Sequence, residues 1–509
     1  MDSKTNLEPP LLNLPIEVLH DICRHLLNPQ LDTTCALPEY CDPDYALAQE
    51  FREKAERKLP PWWHSSPMFL ALSPLQRTCR SLNTIVEPFL YEHISLSFWE
   101  DRRSLSLLRR LSHRPDLGSF VKRLDISGTL WGLRAQADLE SYLREAKRLG
   151  WKIPEARLKQ QVFNHEMPMA WFTQELAVDL ILAHVPKLEA LRIHHENKAG
   201  HEYGVCLPRD IQFNSLRHIE HSQHNGLEGA TPSRLIRILE HAPRVETLLL
   251  TGHQSFRSQE EANSFWMALP ELKVIEFDEA GDFLGNDPVA ISMFCPKLKS
   301  FRFSHATSSS AWINANDISM YQLKRLLTTP TQILKGLYPL RERLRHLDFD
   351  LSILTINKAA PPDPNVSTLN PRKTRHLLHK DLAILCEFVG LEQLRLQFGQ
   401  RQNPIQWISP INDGFLVDCL PPNIKQLEIF QILQSTPLIK LADSIKNGSF
   451  PLLKEVWYNV IHQDPQRVIS TTIKIGNAFR ESGIEALQSA EFGGPKWYLN
   501  HVPTRWERC

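Results

Sequence analysis

The chain has 509 residues, 42% hydrophobic and 23% charged, and its 58 Lys and Arg balance its 58 Asp and Glu. That length exceeds one compact core and calls for two or three domains or one extended repeat array. A formal charge of zero excludes the broad electrostatic pull toward nucleic acid or anionic lipid, leaving only a local basic patch as a route to either.

Nine cysteines form an odd set with no C-x-x-C pair. A disulfide framework or a zinc site built on such pairs is not expected, and the usage points to a reducing compartment, cytoplasm or nucleus. The start, MDSKTNLEPPLLNLP, lacks the basic and apolar runs of a secretory signal, and residues 1–10 read as disordered. No window reaches the ~18 apolar residues of a membrane helix.

The first helix is expected in LPIEVLHDICRHLL, with Pro15 at its start and Val18, Leu19, Ile22 and Leu26 on one stripe. A second amphipathic stretch is PLQRTCRSLNTIVEPFLYEHI, residues 74–94, where Leu75, Cys79, Leu82 and Val86 share a face. Glu87 and Pro88 should stop this helix, because a residue before Pro avoids the α region. Leu90, Tyr91 and Ile94 then form a short apolar tail. Helices this short cannot hide their stripes alone, so the unit reads as a docking module. Residues 28–70, with DYALAQEFREKAERKL and PPWWHSSP, read as an insertion between the two helices.

The pattern LPxEVLxxIxxxL at 14–26 followed by LxxTCRxLNxIxxPxLY at 75–91 resembles an F-box, and its ending is similar to that of many fungal F-box proteins. The insertion departs from the family, whose helices follow each other closely. The resemblance implies that residues 11–95 bind the Skp adaptor of a cullin–RING ubiquitin ligase. It assigns Leu14, Pro15, Val18, Leu19, Ile22, Leu75, Leu82, Leu90 and Tyr91 to that surface or its support.

Beyond residue 105 one pattern recurs, L-x-x-L-x-L or a variant. It appears as VKRLDI, LEALRI, LRHIEH, VETLLL, LKVIEF, LKSFRF, LRHLDF, LEQLRL, IKQLEI and LKEVWY. Starts at 188, 216, 245, 272 and 298 give leucine-rich-repeat lengths of 26 to 29 residues. In LEALRI, alternation puts Leu191 and Ile193 inward and Arg192 and His194 outward. The preceding ELAVDLILAHVP supplies Leu176, Leu180 and Ile181 as a helical cover. Such units must stack. The expected fold is α/β: a small helical F-box-like module, then a curved leucine-rich-repeat-like solenoid over 105–475, with parallel strands on the concave face and helices outside. A helical solenoid competes, but strand ends such as FRF and VIEF speak against it. The segment 358–373, rich in Pro and polar residues, reads as a mobile loop. Residues 476–509 read as a terminal cap or tail, opening with a helix in GNAFRESGIEALQ.

No catalytic, nucleotide-binding or metal motif is present. His218 and His221 fall on opposite faces of their strand, against a shared metal. A non-enzymatic protein without cofactor or metal is expected. Function then falls to the outward strand residues: Arg123, Asp125, Arg192, His194, His218, Glu220, Glu276, Asp278, Arg302, Asp348, Arg395, Glu428, Phe430 and Trp457. Charges of both signs argue against a nucleic-acid reader. Phe430 and Trp457, on adjacent units, suggest an aromatic anchor. The reading is a substrate receptor that holds a protein target for ubiquitin transfer. Its rival is a repeat scaffold using the F-box-like segment in another assembly.

Overall fold

The computed structural model describes residues 14–26, 77–78, 80–97, 103–127, 134–151, 153, 166–195, 204, 206–223, 232–252, 256, 258–280, 287–305, 330–350, 382–397, 414–432, 435–460 and 465–488. Leu75, Cys79, the insertion at 28–70, the loop at 358–373 and the tail beyond 488 lie outside the described residues.

In chain order, α1 (Ile16–Leu26) and α2 (Arg80–Glu92) lead into β1 (His93–Ser97). After α3 (Arg103–His113) and the single turn α4 (Pro115–Gly118) comes β2 (Arg123–Ser127). Next are α5 (Arg134–Arg148), α6 (Glu166–Ala183), β3 (Ala190–His195), β4 (His218–Gln223), α7 (Ile236–Glu240), β5 (Thr247–Thr251), α8 (Gln259–Met267), β6 (Val274–Ala280), α9 (Asp287–Phe294) and β7 (Ser300–His305). The chain continues with α10 (Pro330–Leu337), β8 (His346–Asp350), β9 (Gln393–Gln397), α11 (Phe415–Cys419), β10 (Gln426–Ile432), α12 (Thr436–Lys446), β11 (Glu455–Val460), α13 (Pro465–Ser482) and β12 (Glu485–Gln488).

The twelve strands form one sheet in strict sequence order, β1 to β12, and every pairing is parallel. Each of the ten L-x-x-L-x-L segments supplies one strand, β2 to β11. Their inward residues, among them Leu124, Leu191, Ile219, Leu248, Ile275, Phe301, Leu347, Leu394, Leu427 and Val456, are buried in one continuous core with the helices. The next inward row carries Phe277, Phe303 and Phe349, with neighbouring ring centroids about 6 Å apart. His221 stands in that row and is buried, as its phase requires. Strands repeat every ~4.8 Å, whereas packed helices need ~8–10 Å between axes. A sheet covered by helices on one side only must therefore curve, with the strands on the inside.

Backbone geometry fixes the register before each strand begins. The carbonyl of the residue preceding one strand accepts two amides from the next unit. Lys122 receives Glu189 and Ala190 at 2.7 and 3.0 Å, Lys273 receives Lys299 and Ser300, and Glu392 receives Lys425 and Gln426. The turns there approach so closely that a Cβ on Gly390 would lie 2.3 Å from the carbonyl oxygen of Glu342.

Four features differ from the sequence expectation. Helix α2 does not stop at Pro88 but runs through it to Glu92. Pro88 removes one helical donor, yet Tyr91 beyond it is buried in the main core, and Glu87 meets Arg114 at 3.0 Å and Arg110 at 3.8 Å. These tertiary contacts outweigh the local loss. The sheet also begins at His93, inside the segment read as the helical module, so α2 passes straight into β1. EALQ in the expected terminal helix is instead β12, set off by Gly483 at φ 77°. Last, α6 is buried on all sides from Phe172 to Leu182, polar residues included, because α5 packs over it as an outer layer. Its Asp179 is satisfied by the amides of Gly204 and Cys206 at 2.6 and 2.8 Å.

Candidate functional site

Two surfaces stand out, and each follows from local sequence. The first is the α1–α2 pair. The carbonyl of Pro15 accepts from the amides of Val18 and Leu19, at 3.0 and 3.1 Å, and opens α1. Leu19 and Cys23, four residues apart, turn inward; Cys23 packs with Val86, Ile85, Phe89 and Leu90 in a small core of its own. Val18 lies about 100° around the helix from Leu19 and points away. Leu14, Ile16 and Val18 are consequently exposed, at 36%, 55% and 41%.

Of the residues assigned to adaptor binding, Leu14, Pro15 and Val18 are outside, and Ile22 and Leu90 are half-buried. Leu19, Leu82 and Tyr91 are buried. Those three side chains face the interior. The guanidinium of Arg110 covers the Tyr91 ring at 5.4 Å. Ile16, the most exposed apolar side chain among those described in the pair, was not singled out by the sequence, because it falls outside the 18–19–22–26 stripe.

The second surface is the open face of the sheet. Strand register aligns its central row as Asp125, Arg192, Glu220, Leu249, Glu276, Arg302, Asp348, Arg395, Glu428 and Trp457, from β2 to β11. Neighbours pair along the row. Arg192 lies 3.8 Å from Asp125 and 3.1 Å from Glu220. Arg302 lies 3.4 Å from Glu276 and 3.1 Å from Asp348, and Arg395 lies 3.7 Å from Asp348 and 3.8 Å from Glu428. Burial pushes the Arg302 guanidinium down, but Asp348, Glu276 and Asp278 outweigh it and hold its pKa above the ordinary value. Glu220 goes the other way. Burial lifts its carboxyl to about 6, with Arg192 opposing and Asp125 and Glu276 adding to the rise.

The flanking rows mix neutral and hydroxylic side chains with a few charges, Arg123, Asp278 and Asp350 among them. His93, His218 and His346 lie toward the strand starts; burial lowers all three pKa values, His93 to about 4, where Arg123 and Arg192 add to the effect. On the other side His194 Nδ1 meets Ser222 Oγ at 2.5 Å, and Ser304 donates to Asp278 at 2.6 Å. A shallow depression of about 210 Å³ lies over β6 to β10, lined by Glu276, Arg302, His346, Asp348, Arg395 and Glu428 among others. The expected aromatic anchor is corrected in part. Phe430 is buried, with Arg395 stacked 4.4 Å from its ring centre, where β10 shifts register between Ile429 and Ile432. Trp457 is half-buried and donates to Glu455 at 3.3 Å.

The buried thiols Cys295 and Cys419 are pushed up to about 12 by desolvation, far from nucleophilic thiolates at neutral pH. Among the described residues no group of three or more His, Cys, Asp or Glu could hold a metal ion, and no helix is long and apolar enough to cross a membrane.

No protein-family model matches the chain, and no curated protein does. Among solved structures, a chain of the yeast Rad7–Elc1 complex aligns over 74% of this chain and 84% of its own length, at 11% identity and a TM-score of 0.28. That likeness is too slight to carry an argument about family or partner.

Proposed function

We propose that the protein is a non-catalytic receptor of a Skp–cullin–F-box ubiquitin ligase. The α1–α2 pair docks on a Skp-type adaptor, and the open face of the solenoid holds a protein target. The observation that carries this reading is the exposure of three apolar side chains, Leu14, Ile16 and Val18, at the front of a helix pair whose described core is small, at the positions where the sequence resembles an F-box. Because α2 continues into β1 without a break, a target held on the sheet keeps a fixed position relative to the adaptor. Ubiquitin transfer is then promoted by raised local concentration rather than by side-chain chemistry.

The test is a titration of the full chain with a recombinant Skp-type adaptor. Wild type should bind, and Val18→Asp, at an exposed position, should weaken binding by about tenfold or more while leaving the melting temperature unchanged. Absence of binding by wild type, or equal binding by the variant, removes the basis for the reading. Adaptor binding without ubiquitin transfer to any captured protein would favour the scaffold alternative.

A further inference from the structure

The central row of the open face follows a rule with one exception. Acids occupy β2, β4, β6, β8 and β10, and arginines occupy β3, β7 and β9 between them. The intervening place on β5 is held by Leu249, flanked by Glu220 and Glu276. Carboxylates two strands apart are separated by about 9.5 Å at the backbone. This chain seats a guanidinium across that span three times, with Arg192, Arg302 and Arg395. Glu220, beside Leu249, is left one partner short. Its side chain is 10% exposed, one oxygen meets Arg192 at 3.1 Å, and Oε2 is buried without a hydrogen-bond partner. An unsatisfied buried carboxylate oxygen is costly.

We infer that the gap over Leu249 receives an arginine or lysine side chain of the protein target, its apolar stem on Leu249 and its cationic head between Glu220 and Glu276. This deepens, and rests on, the reading of the open face as the target surface. The occupant is basic by charge complementarity. The central row carries five acids against three arginines in a chain whose total charge is zero. Burial is the main cause of the raised pKa of Glu220, and Arg192 beside it opposes the rise only in part.

The test has an internal and an external arm. Leu249→Arg supplies the missing cation in cis, with Leu249→Gln as a neutral control of comparable reach. The arginine variant should melt a few degrees above the glutamine variant; equal or lower melting overturns the inference. In the external arm the full chain is titrated with labelled nonapeptides carrying a central arginine among Ser, Thr, Ala and Leu, and with the same pool carrying citrulline. Wild type should prefer arginine by about tenfold. Leu249→Arg and Glu220→Gln should each lose that preference. Equal binding of the two pools, or binding of neither, overturns the inference. Adaptor affinity measured on the same samples reports separately on the helix pair, so failure of one reading is distinguishable from failure of the other.

Discussion

The α1–α2 pair and the twelve-stranded sheet are built on different scales. Among the described residues the pair closes around Cys23 and Val86, with Leu19 and Leu82 also buried and Ile85, Phe89 and Leu90 partly buried beside them. The sheet shares one core running from Tyr91 to Ala486, in which each unit covers the next. The contrast teaches where stability and availability lie. A core that small leaves apolar surface outside, ready for a partner. A core that continuous hides the inward side of every repeat strand, and the open face is organised by paired charges rather than by grease. Leu90 touches both cores and couples the two regions.

Substitutions should separate them. The largest effect is expected for Phe277→Ala, which empties a site among Trp266, Phe301 and Phe303. It should cost about 3–5 kcal/mol in denaturant unfolding and take the whole sheet with it. If only a local segment melts, the single core is wrong.

Acid comes next, acting at the junction. His93, in β1, has a folded pKa near 4 against an ordinary 6.5. Its contribution is fully present above pH 6.5 and is lost as pH falls toward 4, about 3 kcal/mol in all. Glu220 has the opposite sign: its charged form is penalised above pH 6, and about 2 kcal/mol of that penalty is relieved as pH falls to 4.5. The two partly offset in wild type. His93→Gln should therefore leave a protein that gains stability on mild acidification, and Glu220→Gln one that loses more than wild type. Unfolding free energies between pH 4 and 8 check both.

Gly390→Ala should cost about 1–3 kcal/mol, since the added methyl meets the Glu342 carbonyl and both turns are held by strand register. A neutral result would show that the turns can part. The smallest effect belongs to the pair. Val86→Ala removes about 1.5 kcal/mol of buried apolar contact. It should speed amide exchange in α1 and α2 and weaken adaptor binding while the sheet's exchange stays unchanged. Uniform loss of protection would mean that the pair and the sheet unfold together.

The solenoid was legible because its period is written in apolar residues. Ten strands could be placed by L-x-x-L-x-L, and the same phase placed His221 in the core and Glu220 on the open face, where its neighbours nonetheless bury it. The alternation of charge was present in the sequence too: reading the outward central residue of each unit in order yields it, with Leu249 as the break. It becomes a row only once register sets the strands side by side. β1 and β12 were missed because HISLS and EALQ lack the full repeat and become strands by pairing with a neighbour.

The sequence by itself determined the parallel repeat, the face each strand buries and the amphipathic pair at the front, because periodicity of apolar residues dictates burial wherever units must stack. Only the tertiary structure decided that α2 runs through Pro88 into the sheet, that Phe430 lies under Arg395, and that Leu249 stands between two carboxylates. Those outcomes depend on contacts between residues far apart in the chain, whose energies local propensity does not contain.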